Sequence, residues 1–325
     1  MSRDYAIAVV SDVHYASAAE QARGNDYELA GIANPLLRSV FKAYHNFIWL
    51  RHPLNQNYLL ESVLHEVGGV DYAIALGDYS CNSAFIGVSD DAACLSAKEC
   101  LAKLRMKFAP RFQAVIGDHE LGKKSHFGGL GEMRLDSWRR ARQELGLQPF
   151  WRVELGNYVL MGVASSLVAL PVFEADTLPE ERPEWEQLRE QHLAEIRQGF
   201  AALKSAQRVL LFCHDPTALP FLWREEIVRS KLPQIEQTII GHLHSGLILW
   251  KSRLLAGMPT IRFLGHTARR MSAALNEARS WKPFNVRLCP SLAGIQLLKD
   301  GGYYTAELDA DAWQPARFCF HPLSR

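Results

Sequence analysis

Five runs of apolar, strand-forming residues in this chain each end on a carboxylate or an imidazole. Residues 5–10 run into Asp12 and His14, 72–76 into Asp78, and 112–116 into Asp118, His119 and Glu120. Residues 209–212 lead to His214 and Asp215, and 238–240 to His242 and His244. A fully buried strand reads as a continuous apolar run, and open α/β sheets gather ligands at the carboxyl ends of their strands. Three Asp and four or five His are therefore expected to converge on one edge, a set rich enough to hold two metal ions.

Two divalent ions about 3.5–4 Å apart need a ligand that touches both, which a carboxylate does well. Asp78 is the bridging candidate. Asp12 and His14 lie two apart, so both face one ion only where the strand breaks into a loop, and His242 and His244 repeat that spacing. A mixed oxygen and nitrogen set without thiolate suits Mn²⁺, Fe or Zn²⁺ better than Ca²⁺ or Mg²⁺, with Mn²⁺ the leading expectation. Two such cations lower the pKa of a shared water until hydroxide exists near neutral pH, and they neutralise a phosphoryl group clamped across them. The chemistry expected is hydrolysis of a phosphoester or phosphoanhydride bond by a bridging hydroxide. A single Asp or His after a strand is more often a turn former or a cap; it is the recurrence that argues for metal.

The elements that must position these residues alternate. Helical spacing over roughly 57–67, 92–108, 134–145 and 182–204 interleaves with the strand runs, giving a β-α-β order. After His244, segments 247–250, 260–263, 294–298 and 303–308 read as strands of a second, more antiparallel sheet. Glu120 reads as a supporting group and Asp215 as a cap before Pro216, whereas His126, His192 and His321 read as surface or packing residues. His266 also reads as a surface or packing residue, but with Arg269, and near Arg270, it is a candidate substrate contact.

The 325 residues, 48% of them hydrophobic, can bury a large core, and no linker divides them. A net charge of +1 and the lack of a long basic stripe count against extended contacts with nucleic acid. No leader pattern and no long apolar run is evident, so a cytosolic protein is expected. The six cysteines show no CxxC pairing and read as reduced structural thiols, with Cys213 facing the core.

One segment departs from this rhythm: a helical insertion at about 17–57, with no Asp or Glu from Leu29 to Leu60. Asn34 is a good N-cap with Pro35 at the first helical position, and Pro53 supplies a stop. Leu36, Leu37, Val40, Phe41, Tyr44, Phe47 and Ile48 track one face, with Arg38, Lys42, His45, Arg51 and His52 over much of the rest. This pattern fits an extra helix packed on the core. It also fits a cap over the metal edge, whose apolar face holds an acyl chain or lies on the inner face of a membrane while Arg38, Lys42 and Arg51 meet phosphate or anionic lipid.

In order, D-x-H, GD, a GNH[DE]-like element, a lone His after a strand and GHxH resemble the motifs of the calcineurin-like metallophosphoesterases, over residues 5–244. The resemblance implies an α/β fold, a four-layer α/β/β/α sandwich of two mixed sheets, as one domain spanning 1–325. It implies that Asp12, His14, Asp78 and His244 hold one metal, that Asp78, Asp118, His214 and His242 hold the other, and that His119 meets the substrate. Two departures stand out: Asp118 replaces the family's Asn, and Cys81 replaces a carboxylate that often follows GD.

The family includes UDP-diacylglucosamine pyrophosphohydrolases, and the insertion favours a bulky or lipid-linked nucleotide substrate of that kind. The rival expectation is a soluble nucleotide or cyclic-nucleotide phosphodiesterase or phosphatase. A non-catalytic protein-binding scaffold on the same fold should have lost ligands, whereas every position here carries Asp or His.

Overall fold

The computed structural model describes residues 4–24, 34–81, 85–122, 132–263 and 265–323, without the side chains of residues 266 and 267. His126 lies outside the described residues. Among the described residues ten strands form two five-stranded mixed sheets. In the first, β1 (Tyr5–Val10), β2 (Tyr72–Ala75) and β3 (Phe112–Ala114) run parallel, β9 (Gly302–Leu308) pairs antiparallel with β1, and β10 (Arg317–Pro322) pairs antiparallel with β9. The second places β4 (Phe150–Leu155) antiparallel to β5 (Tyr158–Val163), followed in parallel by β6 (Arg208–Cys213), β7 (Ile235–Ile240) and β8 (Val286–Leu288).

Alternation along the strands sorts the core into layers. Ile7, Val9, Ile74 and Leu76 of the first sheet meet Leu160, Leu210, Phe212 and Ile239 of the second in one buried cluster. The opposite faces of the two sheets are covered by helices. Helix α1 is Pro35–Tyr44, α2 Asn57–Glu66, α3 Asp91–Phe108, α4 Leu135–Gln143, α5 Arg182–Ala201, α6 Gly246–Leu254 and α7 His266–Glu277. Leu59, Leu101 and Trp138, from α2, α3 and α4, cluster with Val10 and Ala75 of the first sheet, while Leu193 and Ile196 of α5 cluster with Val159 and Leu211 of the second. The layers are therefore helix, sheet, sheet, helix, as expected. Cys213 faces the core, and all six cysteines are free thiols.

Several elements differ from expectation. Residues 247–250 lie in α6, 260–263 and 294–298 form no strand, and 303–308 pairs with β1 in the first sheet. Short apolar runs do not distinguish strand from helix by pattern, and here Ser245 decides by capping: its side chain accepts from the Leu247 amide. The second sheet is instead built mainly from β4 to β7, upstream of His244. In the insertion, Asn34 caps α1 as expected, accepting from the Leu36 and Leu37 amides, and a π-helical segment His45–Trp49 follows. No residue of α1 is buried, so this helix is not packed on the core. Among the described residues no helix is long and apolar enough to cross a membrane.

Candidate metal centre

The carboxyl ends of β1, β2 and β3 are aligned, Val10 with Ala75 and Ala75 with Ala114, and those of β6 and β7 are aligned, Cys213 with Ile240. Pairing continues past the strand ends. His14 N donates to Asp78 O at 3.0 Å and Gly241 N to His214 O at 3.0 Å, which fixes the loops that carry the polar residues. The two edges then meet, because His242 N donates to Asp12 Oδ2 at 3.1 Å across the sheets.

Asp12, His14, Asp78, His242 and His244 all have left-handed backbone, with φ of 47°, 49°, 57°, 61° and 58°. Each such residue costs about 1–2 kcal/mol, a strain that persists where the surroundings impose it and that concentrates at functional sites. Its local effect is to break the period-two alternation, so residues two apart turn toward one point. Glycines make the close approach possible. A Cβ on Gly241 would meet Ser11 Oγ and lie 2.6 Å from Asp12 Oδ2, and one on Gly77, itself at φ 103°, would lie 2.6 Å from Gly117 Cα.

Among the described residues the donor atoms fall into three groups, within each of which all lie within 4.8 Å of one another: Asp78, Asp118, His214 and His242; Asp12, His14 and His244; and His14, Asp78 and His119. In the first group Asp118 Oδ1 is 2.9 Å from both His214 Nε2 and His242 Nδ1, and Asp78 Oδ2 is 3.1 Å from His214 Nε2. In the second His244 Nε2 lies 3.3 Å from Asp12 Oδ1 and 3.3 Å from His14 Nε2. Asp78 and His14 each belong to two groups, so the groups adjoin. Every one of the seven residues expected to ligate metal is brought in, Asp118 included.

Backbone carbonyls set the tautomers. A carbonyl only accepts, so Nδ1 of His214, 2.7 Å from Leu76 O, and Nδ1 of His119, 3.1 Å from Ser80 O, carry protons and their Nε2 atoms point at the carboxylates. His14 Nδ1 faces the same Ser80 carbonyl at 3.4 Å. Neutral imidazoles held this way offer lone pairs to a cation. Burial, reinforced by His119 and His244, lowers the pKa of His14 to about 3, and burial lowers that of His244 to about 3, so both are uncharged near neutrality. Burial raises Asp12, whereas it is outweighed at Asp78, which His119 and His214 hold below its ordinary value. His214 is driven the other way: burial opposes its charge, but Asp78 and Asp118 push it well above its ordinary value. A proton on His214 then stands where the carboxylates call for a cation. Three buried carboxylates and facing lone pairs are a donor set that fits divalent metal.

A supporting layer was only partly foreseen. Glu120 is fully buried and accepts three amides, from Gly117 at 2.9 Å, Asp78 at 3.0 Å and Tyr79 at 2.8 Å, tying the loop after β2 to that after β3. Burial and the Asp78 charge push its pKa up to about 8. Asp215 caps the turn at Pro216 as expected, accepting from Thr217 N at 2.8 Å, and also lies 3.8 Å from His242 Nε2. Cys81 is buried with its thiol donating to His14 O, and the Ser80 carbonyl is what orients His119. Trp49, which no motif marked, sets its ring 5.0 Å from that of His244. Among the expected substrate contacts, Arg38 and Lys42 are exposed on α1 and Arg269 on α7, outside the buried cluster, and His266 opens α7. His192 is buried and accepts from Ala164 N, and His321 stacks on Tyr303, both packing roles.

No family model matches the chain, and no curated protein matches it. Among solved structures it is similar to a phosphopantetheinyl hydrolase (PptH) from Mycobacterium tuberculosis, at 14% identity and TM-score 0.37 over 75% of this chain and 84% of that one. It is also similar to the purple acid phosphatase PPD1 from yellow lupin (Lupinus luteus) seeds, at 12% identity and TM-score 0.39 over 75% of this chain and 38% of that one.

Proposed function

We propose that the chain is a metal-dependent phosphoester hydrolase of the calcineurin-like type, one catalytic domain holding two divalent ions. The observation that carries this reading is the pair of adjoining buried donor groups built on left-handed backbone at the ends of five strands. Asp12, His14 and His244 would hold one ion, Asp118, His214 and His242 the other, and Asp78 both. When bound, the ions supply Lewis acidity, neutralising phosphoryl oxygens and lowering the pKa of a water between them.

The chain's own residues do the rest. Glu120 keeps the Asp78 and Gly117 loops in register, so the carboxylates stay fixed while charge shifts at phosphorus. His119 is not needed as a ligand; with Nδ1–H held on the Ser80 carbonyl, a second proton taken up on Nε2, 3.8 Å from Asp78 Oδ2, is the one passed to the leaving oxygen, which leaves the ring neutral. Asp118 in place of Asn adds a third negative charge, which favours tight metal retention.

The substrate is a bulky or amphiphilic phosphoester, because the unburied apolar helix α1 leads through Trp49 to His244 at the metal edge. A lipid-linked nucleotide diphosphate such as UDP-diacylglucosamine meets that description. The test is metal analysis of purified protein with a screen of phosphate mono-, di- and pyrophosphoesters in added Mn²⁺. Bound divalent metal, turnover, and loss of both in Asp78→Asn are expected; neither metal nor turnover would end the reading. Turnover of a micellar diphospholipid no better than of water-soluble diesters, with that ratio unmoved by deleting 34–52, would remove the lipid-linked substrate alone.

A further inference from the structure

The net charge of +1 conceals an asymmetry. Acidic residues are missing from 29–60 and again from 241–276, and these stretches carry Arg38, Lys42 and Arg51, and Lys251, Arg253, Arg262, Arg269 and Arg270. Of the second set, Arg270 is neutralised by buried Asp176 at 2.9 Å. The fold brings the two acid-free stretches to the same rim: Trp49 packs against His244, and Gln296 N and Leu297 N donate to the carbonyls of Trp49 and Ile48. On the other side of the 291–300 loop, Ser245, the cap of α6, bonds Asp300.

This rim is apolar as well as cationic. Leu36 and Phe47 are 74% and 73% exposed, Leu297 is 62%, and Trp250 and Leu254 on α6 are 61% and 69%. On α6 the exposed residues 247, 250 and 254 follow helical spacing, so they form one stripe, and on α1 none is buried. An exposed apolar patch of this extent marks an interaction site. The lysines and arginines of these two stretches, with no Asp or Glu interspersed in the sequence of either, are repelled by a basic partner and attracted to an anionic lipid surface, where each contributes about 1 kcal/mol. Tryptophan and tyrosine, here Trp49, Trp250 and Tyr44, are the side chains that settle at such an interface.

We propose that the face formed by α1, the π-helical segment, the 297–298 loop and α6 docks on an anionic bilayer. Docking sets the edge that carries His244 toward the headgroups. The surface goes beyond the hydrolase reading and does not depend on it.

The test is co-sedimentation of the full-length protein with vesicles of phosphatidylcholine alone or with about 30 mol% phosphatidylglycerol, at low and high salt. Binding to the anionic vesicles, weakened by salt, is expected, together with a blue shift of tryptophan fluorescence. Phe47→Glu and Trp250→Glu should each cut the bound fraction at least about fivefold, and circular dichroism would show that both variants remain folded. Asp78→Asn, which removes a proposed metal ligand, should bind vesicles as the unmodified protein does, so loss of catalysis and loss of docking are separable. No binding to anionic vesicles, or binding that neither glutamate substitution changes, would overturn the proposal. So would a dimer in light scattering that both substitutions dissolve, since the face would then be covered by a second copy.

Discussion

Asp118 Oδ1 lies 2.9 Å from His214 Nε2, although the two residues come from different sheets and are 96 positions apart. Because Nδ1 of His214 is committed to the Leu76 carbonyl, this contact needs either a proton or a metal ion between them. Asp118→Asn keeps an oxygen at the same place and removes its charge. Metal affinity should fall at least about tenfold, since a unit charge beside a cation is worth more than ~1 kcal/mol even when well screened. Metal content after dialysis against buffered Mn²⁺ measures this, and unchanged content with an unchanged rate would mean that Asp118 is not a ligand.

Asp12, Asp78 and Asp118 are buried together, so binding of divalent cation should stabilise the fold strongly. A ligand at 100 times its Kd adds about 2.7 kcal/mol if it binds only the native state. Thermal unfolding in Mn²⁺ should therefore shift upward by several degrees relative to unfolding in chelator. Identical midpoints would contradict cation binding at this cluster.

Glu120 serves three amides with two oxygens. In Glu120→Gln one oxygen becomes an NH₂ group that faces an N–H donor, leaving at least one buried amide unsatisfied, at about 1–3 kcal/mol. Lower stability in denaturant and a reduced kcat are expected. Retention of wild-type stability would show that the two loops hold their register without this carboxylate.

Gly241→Ala places a methyl carbon against Ser11 Oγ and Asp12 Oδ2 at the point where the sheet edges touch. It should lower metal occupancy more than Gly246→Ala, where a Cβ meets nothing within 4 Å. Comparing metal content of the two variants tests whether that close approach is required.

His119→Ala should keep its metal and lose activity. General acid catalysis contributes about 10²–10⁴-fold, so the loss should be large for alkyl leaving groups and small for p-nitrophenolate, which needs no proton. Loss of a metal ion instead would place His119 among the ligands, as its 3.8 Å separation from Asp78 Oδ2 permits.

Much of the centre was legible before any fold was known. Continuous apolar runs of strand length ending in Asp or His mark buried strands whose carboxyl ends share an edge, and all five reach it. Long amphipathic helices such as α3 and α5 were also legible, because their periodicity extends over several turns. The region after His244 was not. There short apolar runs fit strand and helix alike, and the choice rests on the Ser245 cap and on which neighbours offer hydrogen bonds.

Residue types and their order thus marked by themselves which side chains could ligate metal, since Asp supplies carboxylate oxygens and His ring nitrogens at the strand ends. What tertiary structure alone decided is how they meet. The left-handed turns at Asp12, His14, Asp78, His242 and His244, the docking of Gly241 on Ser11 and the carbonyls of Leu76 and Ser80 depend on contacts between residues far apart in the chain. So does the exposure of α1: its pattern equally fitted burial on the core, and a helix shows which surface takes its apolar face only once every other surface is in place.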